Sequence, residues 1–250
     1  MASRKNEKAR RRAERVAAEQ RLAAADRRTR MIRRLAAALM CAAAAAAALI
    51  VIAQHGAATG PASSAEIEQR AAGLAQRDGV VGDLDAPVRI VEFGDLQCPA
   101  CRQFSQNALD EVLDRTVRAG KATFQFRHWA FLGEDSRTAA GAAMAADRQS
   151  RGLQFIEAFY AAQGAENSGY VTDQFLDEVA RSAGLDIARF NADRRRVDVD
   201  AEIAAAAEQA AELGLSGTPS FVISGPGGEV TLNGAASPAD FEAAVDRVTK

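Results

Sequence analysis

The spacing of hydrophobic positions changes several times along the chain, and each change predicts an element. Residues 87–93, PVRIVEF, form a short apolar, β-branched run between turn residues, which predicts a buried strand. A helix is predicted from about Cys98, because apolar positions recur one turn apart as far as Leu113. Residues 122–131, ATFQFRHWAF, predict a second strand.

Apolar spacing becomes helical from Ser136 to Leu213, and Thr172 is a predicted helix start. The segments SFVIS and EVTLNG then flank turn residues 225–228, which predicts an antiparallel hairpin. SPADFEAAVDRV predicts a closing helix with Ser237 as its N-cap. The order strand–helix–strand, helical block, strand–strand–helix predicts an α/β domain with a helical insertion at about residues 134–213.

A different pattern occupies residues 35–53, where 19 residues include no charged or strongly polar side chain. At about 1.5 Å per residue, a helix of this length matches the roughly 30 Å hydrocarbon core of a bilayer, which predicts one transmembrane helix. Arg33 and Arg34 precede it, so the positive-inside rule predicts a cytoplasmic N-terminus and an extracytoplasmic C-terminal domain. A buried alanine-rich helix and a cleaved signal peptide remain as alternatives.

The net charge of −2 conceals two oppositely charged regions. Residues 1–34 carry 13 Lys or Arg against 4 Asp or Glu, a net of +9, whereas the remainder has a net of −11. The basic tail has no aromatic side chain to stack on bases, so cytoplasmic topology and contact with anionic lipid explain it better than nucleic-acid binding. Residues 54–80 are predicted to be a tether containing a short helix from Ser64, and residues 81–250 a single domain.

Candidate chemistry lies in GDLQCPACRQF, where Pro99 and Ala100 separate Cys98 from Cys101. Zinc needs about four ligands, and His128 lies within a predicted strand, so no metal site is predicted. A structural disulfide closing so short a loop removes little entropy from the unfolded chain. A redox pair fits better. The third cysteine, Cys41, lies at the predicted membrane depth.

The predicted helix start determines which of the two cysteines is reactive. Free amide groups and the helix dipole favour a thiolate at Cys98, whose pKa can fall from about 8.5 to roughly 3.5–7.5 in such motifs. Cys101, one turn further on, is shielded and resolves the mixed disulfide.

Three segments carry a resemblance: DAPVRIVEFGDLQCPACRQF, RHWAFLGEDSRTAAGAAMAA and LGLSGTPSFVISG. They resemble the DsbA-like thiol–disulfide oxidoreductases of the thioredoxin superfamily. The resemblance implies a thioredoxin fold with an inserted helical domain over residues 81–250.

The resemblance also implies roles for three further residues. It implies a cis bond between Thr218 and Pro219 that faces the cysteines, with the Thr218 backbone free to pair with an extended substrate; an ordinary trans proline is the alternative. It implies that Glu92 is a buried acid that exchanges protons with Cys101. The alternative is an exposed glutamate at a strand edge.

The expected function is disulfide donation to unfolded or reduced exported proteins, with no cofactor. Strongly oxidising relatives often have a histidine at the position of Ala100. The expected protein is therefore a milder oxidant than DsbA, whose reduction potential is about −120 mV. A quinone-linked membrane oxidase, either DsbB-like or vitamin K epoxide reductase-like, would re-oxidise the pair. An envelope reductase or isomerase on the same fold and a non-redox binding or chaperone module are the alternatives.

Overall fold

The computed structural model describes residues 63–234 and 236–250. The predicted basic tail at 1–34 and the predicted transmembrane helix at 35–53, with Cys41, lie outside these residues. Within the described ranges, no helix combines the length and the hydrophobicity needed to cross a bilayer.

A six-stranded mixed sheet forms the centre of the domain, in the order β1–β2–β4–β3–β5–β6. Strands β3 and β4 are parallel, and the other neighbours are antiparallel. The strands are β1 (Gln76–Arg77), β2 (Val80–Val81), β3 (Val88–Gly94), β4 (Ala122–His128), β5 (Ser220–Gly225) and β6 (Gly228–Asn233).

Helices cover the sheet, and five of them follow one another between β4 and β5. The five are α4–α8 in the following list. The α-helices of the described residues are α1 (Ser64–Ala71), α2 (Pro99–Asn107), α3 (Leu109–Val112), α4 (Glu134–Asp147), α5 (Gly152–Ala161), α6 (Asp173–Ser182), α7 (Ile187–Arg194), α8 (Val199–Glu212) and α9 (Pro238–Val248).

One face of the sheet is covered by α2 and α9. Phe104 of α2 lies 4.5 Å, centroid to centroid, from Phe221 of β5, and Phe241 of α9 lies 4.7 Å from the same ring. All three rings are almost completely buried, and they form the apolar contact that packs α2 and α9 against the sheet.

The opposite face of the sheet is covered by α8. Ala210 of this helix is buried together with Phe93 of β3 and Val222 of β5. The last helix of the predicted helical insertion therefore packs on the sheet, which makes it part of the α/β core.

Helices α4–α7 have an apolar core of their own, in which Phe155, Phe159, Leu176 and Phe190 are fully buried. The same cluster extends to Cys98 and Cys101 at the start of α2. The insertion is consequently in direct contact with the two cysteines.

The structure differs from the prediction at the N-terminal end of the domain, where residues 54–80 were expected to be a tether. Ser63 caps α1 with a reciprocal pair of hydrogen bonds to Glu66, and Ile67 is buried in the helical core. Strands β1 and β2 form an antiparallel hairpin. Val81 of β2 pairs with Phe124 of β4, so this hairpin extends the sheet. The folded part thus begins earlier than residue 81, because these short elements bury apolar side chains against the domain.

The helix predicted from Cys98 is interrupted. Ala108 departs from helical geometry, with φ −131° and ψ −32°, and separates α2 from α3. A π-helical turn, Leu113–Val117, follows α3. The interruption lets Phe104 before it and Leu109 after it join one buried cluster.

Candidate active site

Cys98 lies where β3 leads into α2, which is called the redox helix below because the two cysteines lie at its start. Strand β3 ends at Gly94, where a Cβ atom would lie only 2.5 Å from Cζ of Phe126, so any larger residue would require the buried Phe126 ring to move. Cys98 is the N-cap of α2, with extended backbone geometry, and Pro99 begins the helix with a φ suited to its first turn. Cys98 therefore lies at the N-terminal end of α2, where the first amide groups have no partner within the helix.

Cys98 has the properties of a thiolate. A hydrogen bond from the Cys101 thiol lowers its pKa most; burial opposes this, and a side-chain hydrogen bond from Thr218 and the backbone N–H groups of Cys101 and Ala100 lower it further. The resulting pKa of Cys98 is about 6. The helix amides were expected to be the main cause, but the neighbouring thiol contributes more.

Cys101 has the opposite character. It is fully buried, and burial raises its pKa far above that of a free thiol. Its hydrogen bond to Cys98 raises the pKa further, and so does the Glu92 carboxylate when that side chain is ionised. Both cysteines are free thiols in the structure, and at neutral pH one is ionised and the other protonated.

Glu92 lies on the inner side of this pair. It is 2% exposed and sits in register between Phe126 of β4 and Phe221 of β5. Its Oε1 atom has no hydrogen-bond partner among the described residues. Burial raises the pKa of Glu92 well above its ordinary value, and the nearby Cys98 charge raises it further, so the surroundings favour the neutral form of this carboxyl group.

Thr218 and Pro219 lie on the outer side of the pair. The peptide bond between them is cis, and the Cys98 thiol donates to the carbonyl oxygen of Thr218 at 3.5 Å. The segment lies directly before β5, so strand pairing between β3 and β5 brings it to the cysteines across 120 residues of sequence.

Asp95 is a residue of this site that the sequence interpretation missed. Its carboxylate is buried and accepts four hydrogen bonds: from the backbone N–H groups of Gln97, Phe131 and Leu132, and from the Ser136 hydroxyl. Its carbonyl accepts the N–H of Cys98 at 2.9 Å. Asp95 thereby ties the segment before Cys98 to the loop after β4 and to α4.

His128 stays outside the redox centre. It ends β4, its ring is buried, and neither nitrogen has a hydrogen-bond partner among the described residues. Asp147 of α4 is the nearest carboxylate, at 4.0 Å from Nε2. The described part of the chain contains no group of three or more His, Cys, Asp or Glu side chains arranged to hold a metal ion.

Comparisons with known proteins agree with this geometry. The chain is 28% identical over 149 residues to a probable disulfide bond formation protein D of Bacillus anthracis, covering 58% of this chain and 69% of that protein. A thioredoxin-like oxidoreductase of Silicibacter pomeroyi has 30% identity and a TM-score of 0.56, covering 67% of this chain and 90% of its own. Oxidised BdbD of Bacillus subtilis, at 20% identity and a TM-score of 0.59, shares the fold over 70% of this chain and 96% of its own.

The fold, the paired cysteines and these relatives define a thiol–disulfide oxidoreductase of the DsbA type. The thioredoxin family model matches residues 75–247, and the chain belongs to that family.

Proposed function

We propose that the protein is an oxidase that donates a Cys98–Cys101 disulfide to exported proteins. The observation that carries the proposal is the contrast between the two sulfurs, since the pKa of Cys98 is lowered to about 6 and that of Cys101 is raised. A stabilised Cys98 thiolate favours the dithiol over the disulfide, which makes the disulfide an oxidant. Ala100 supplies only a backbone N–H to the Cys98 sulfur. We therefore infer that the reduction potential of the Cys98–Cys101 couple is more negative than that of DsbA, about −120 mV.

The proposed reaction passes through a mixed disulfide. A substrate thiolate attacks Sγ of Cys98, the Cys98–Cys101 bond breaks, and Cys101 leaves with the electron pair. Glu92, as the neutral acid, gives Cys101 a proton and later regains one from solvent. A second substrate thiolate attacks the substrate sulfur of the mixed disulfide and releases Cys98 as a thiolate. Two electrons move from substrate to enzyme, and the substrate gains a disulfide.

The proposed substrates are extended protein segments. In the disulfide form Cys98 has no thiol proton to donate to the Thr218 carbonyl, which is then free to accept a backbone N–H of an incoming strand. Backbone pairing of this kind does not depend on the substrate's side chains. In the loop after β4, Phe131 is 50% exposed and contacts Trp129, with ring centroids 5.2 Å apart, which offers an apolar surface to unfolded chains.

The proposed location is the outer side of the cell membrane, with the helix predicted at residues 35–53 as a single-pass anchor and the N-terminus in the cytoplasm. The dithiol formed in each cycle needs re-oxidation by a second disulfide. We propose a membrane oxidase that passes the electrons to quinone, either DsbB-like or vitamin K epoxide reductase-like, as that partner. No cofactor is proposed for this chain.

Trapping the cysteines in growing cells tests the direction of the reaction. Cells are quenched in acid, free thiols are alkylated, and the states of Cys98 and Cys101 are separated by mass. A mainly disulfide population is expected. A mainly dithiol population would instead support the reductase or isomerase alternative, which the missing side-chain donor at Ala100 leaves open.

A further inference from the structure

The four residues between β3 and the redox helix, Asp95 to Cys98, are held from the helical insertion. This segment is called the cysteine loop below. Tyr160 donates its hydroxyl to the Asp95 carbonyl at 3.2 Å, and the side chain of Gln97 accepts the backbone N–H of Asn167 at 2.7 Å. Gln163 donates to the carbonyls of Leu96, at 2.7 Å, and of Cys98, at 3.3 Å.

Gln163 differs from the other contacts because it reaches Cys98 itself. It lies just after α5, which packs against α2, and its side chain is half-buried. The Cys98 carbonyl that it contacts also accepts the N–H of Arg102, the first hydrogen bond of α2. Gln163 therefore joins the last residue of the loop to the first turn of the redox helix.

We propose that Gln163 is a positioning residue for thiol–disulfide exchange, which holds the cysteine loop so that the Cys98 sulfur stays in contact with its hydrogen-bond donors. The donors belong to separate parts of the molecule: Cys101 and Ala100 on α2, and Thr218 before β5. Hydrogen bonds weaken steeply when distance or angle changes. Cys98 has extended backbone geometry, so helical backbone angles do not fix its position.

The consequence is that the helical insertion adjusts the acidity of the redox centre. A looser cysteine loop samples positions in which the sulfur loses one or more donors, and the thiolate becomes less stable. The dithiol form then loses stability relative to the disulfide, so the potential becomes more negative. This effect is the same whether the enzyme acts as an oxidase or as a reductase.

Replacing Gln163 by a side chain of similar length without donors tests the proposal. Gln163→Met keeps most of the volume and removes both hydrogen bonds. We expect the ionisation of Cys98 to need a higher pH, with the thiolate-to-thiol ratio at a given pH reduced about 3- to 10-fold. The equilibrium constant with glutathione should shift by a similar factor toward the disulfide form of the enzyme. Both are measured on folded protein, checked by circular dichroism.

Gln149→Met is the matched control. Gln149 also bridges backbone groups of the insertion, since it donates to the carbonyl of Asp186 and accepts its N–H, but it lies away from the cysteine loop. This variant should lose similar stability and leave both redox measurements unchanged.

Gln163→Lys supplies a second variant, because lysine restores a donor of similar reach. In this variant Cys98 should ionise at the same pH as in the wild type or at a lower pH. Unchanged Cys98 ionisation and glutathione equilibrium in Gln163→Met would overturn the proposal. A Gln163→Lys variant that behaves like Gln163→Met would overturn it as well, because the donor would then be irrelevant.

Discussion

The two sides of the first turn of α2 provide opposite environments for two identical side chains. On the outer side, Cys98 meets donors from α2 and from Thr218, and its pKa falls to about 6. On the inner side, Cys101 is enclosed by the insertion core and lies near Glu92, and its pKa rises. The difference shows that burial and the hydrogen-bond donors around each sulfur, rather than the CxxC sequence alone, determine which sulfur carries the charge.

The largest expected effect comes from removing one sulfur at a time. In Cys101→Ser, the Cys98 thiolate can attack a disulfide-bonded test protein and release one of its two thiolates. No Cys101 thiol is left to displace the other sulfur from the mixed disulfide, so a covalent complex should accumulate. Turnover should fall by about a thousandfold or more. In Cys98→Ser no complex should form. Gel electrophoresis without reductant separates the two outcomes; equal trapping by both variants would contradict the assigned roles.

A smaller effect is expected from Glu92→Gln, which keeps the shape but cannot give Cys101 a proton. Disulfide transfer to a model substrate at neutral pH should slow by roughly 10- to 100-fold. The pKa of Glu92 is raised, so its acid form persists to higher pH than that of an ordinary glutamate and is lost as pH rises through that pKa. In the wild type, the rate constant of disulfide transfer, corrected for the fraction of substrate present as thiolate, should fall as pH rises through the pKa of Glu92. In Glu92→Gln the corrected rate constant should not change with pH. Matching pH profiles would exclude Glu92 from proton transfer.

The smallest expected effect is that of Thr218→Val, which removes the side-chain hydrogen bond to Cys98 and leaves the backbone carbonyl in place. The pKa of Cys98 should rise by up to about 1 unit. Ser216→Ala, an exposed neighbour, is the control and should leave the pKa unchanged. Identical titration curves for Thr218→Val and the wild type would remove Thr218 from the group of donors.

Local sequence signals predicted much of this arrangement. A β-branched run followed by apolar positions at helical spacing placed Cys98 at a helix start, and the order of elements together with the resemblance indicated the thioredoxin fold. Glu92 and Thr218 could be singled out by the resemblance to known oxidoreductases, and the structure places both beside the cysteines.

Other features had no local signal. Asp95 and Gln163 act through contacts that join residues 36 to 67 positions apart, and neither stands in a recognisable motif. Strands β1 and β2 have two residues each, too few to show an alternation. The interruption at Ala108 occurs without glycine or proline, so only tertiary packing reveals it.

Titration of the two thiols in the reduced protein tests the central claim most directly. The rate of alkylation of each cysteine, followed by mass spectrometry of the separated peptides, reports its thiolate fraction as a function of pH. The account predicts that Cys98 reacts with a midpoint near pH 6 and a plateau above it, while Cys101 stays unreactive throughout the neutral range. A midpoint for Cys98 near that of a free thiol, about 8.5, would contradict it.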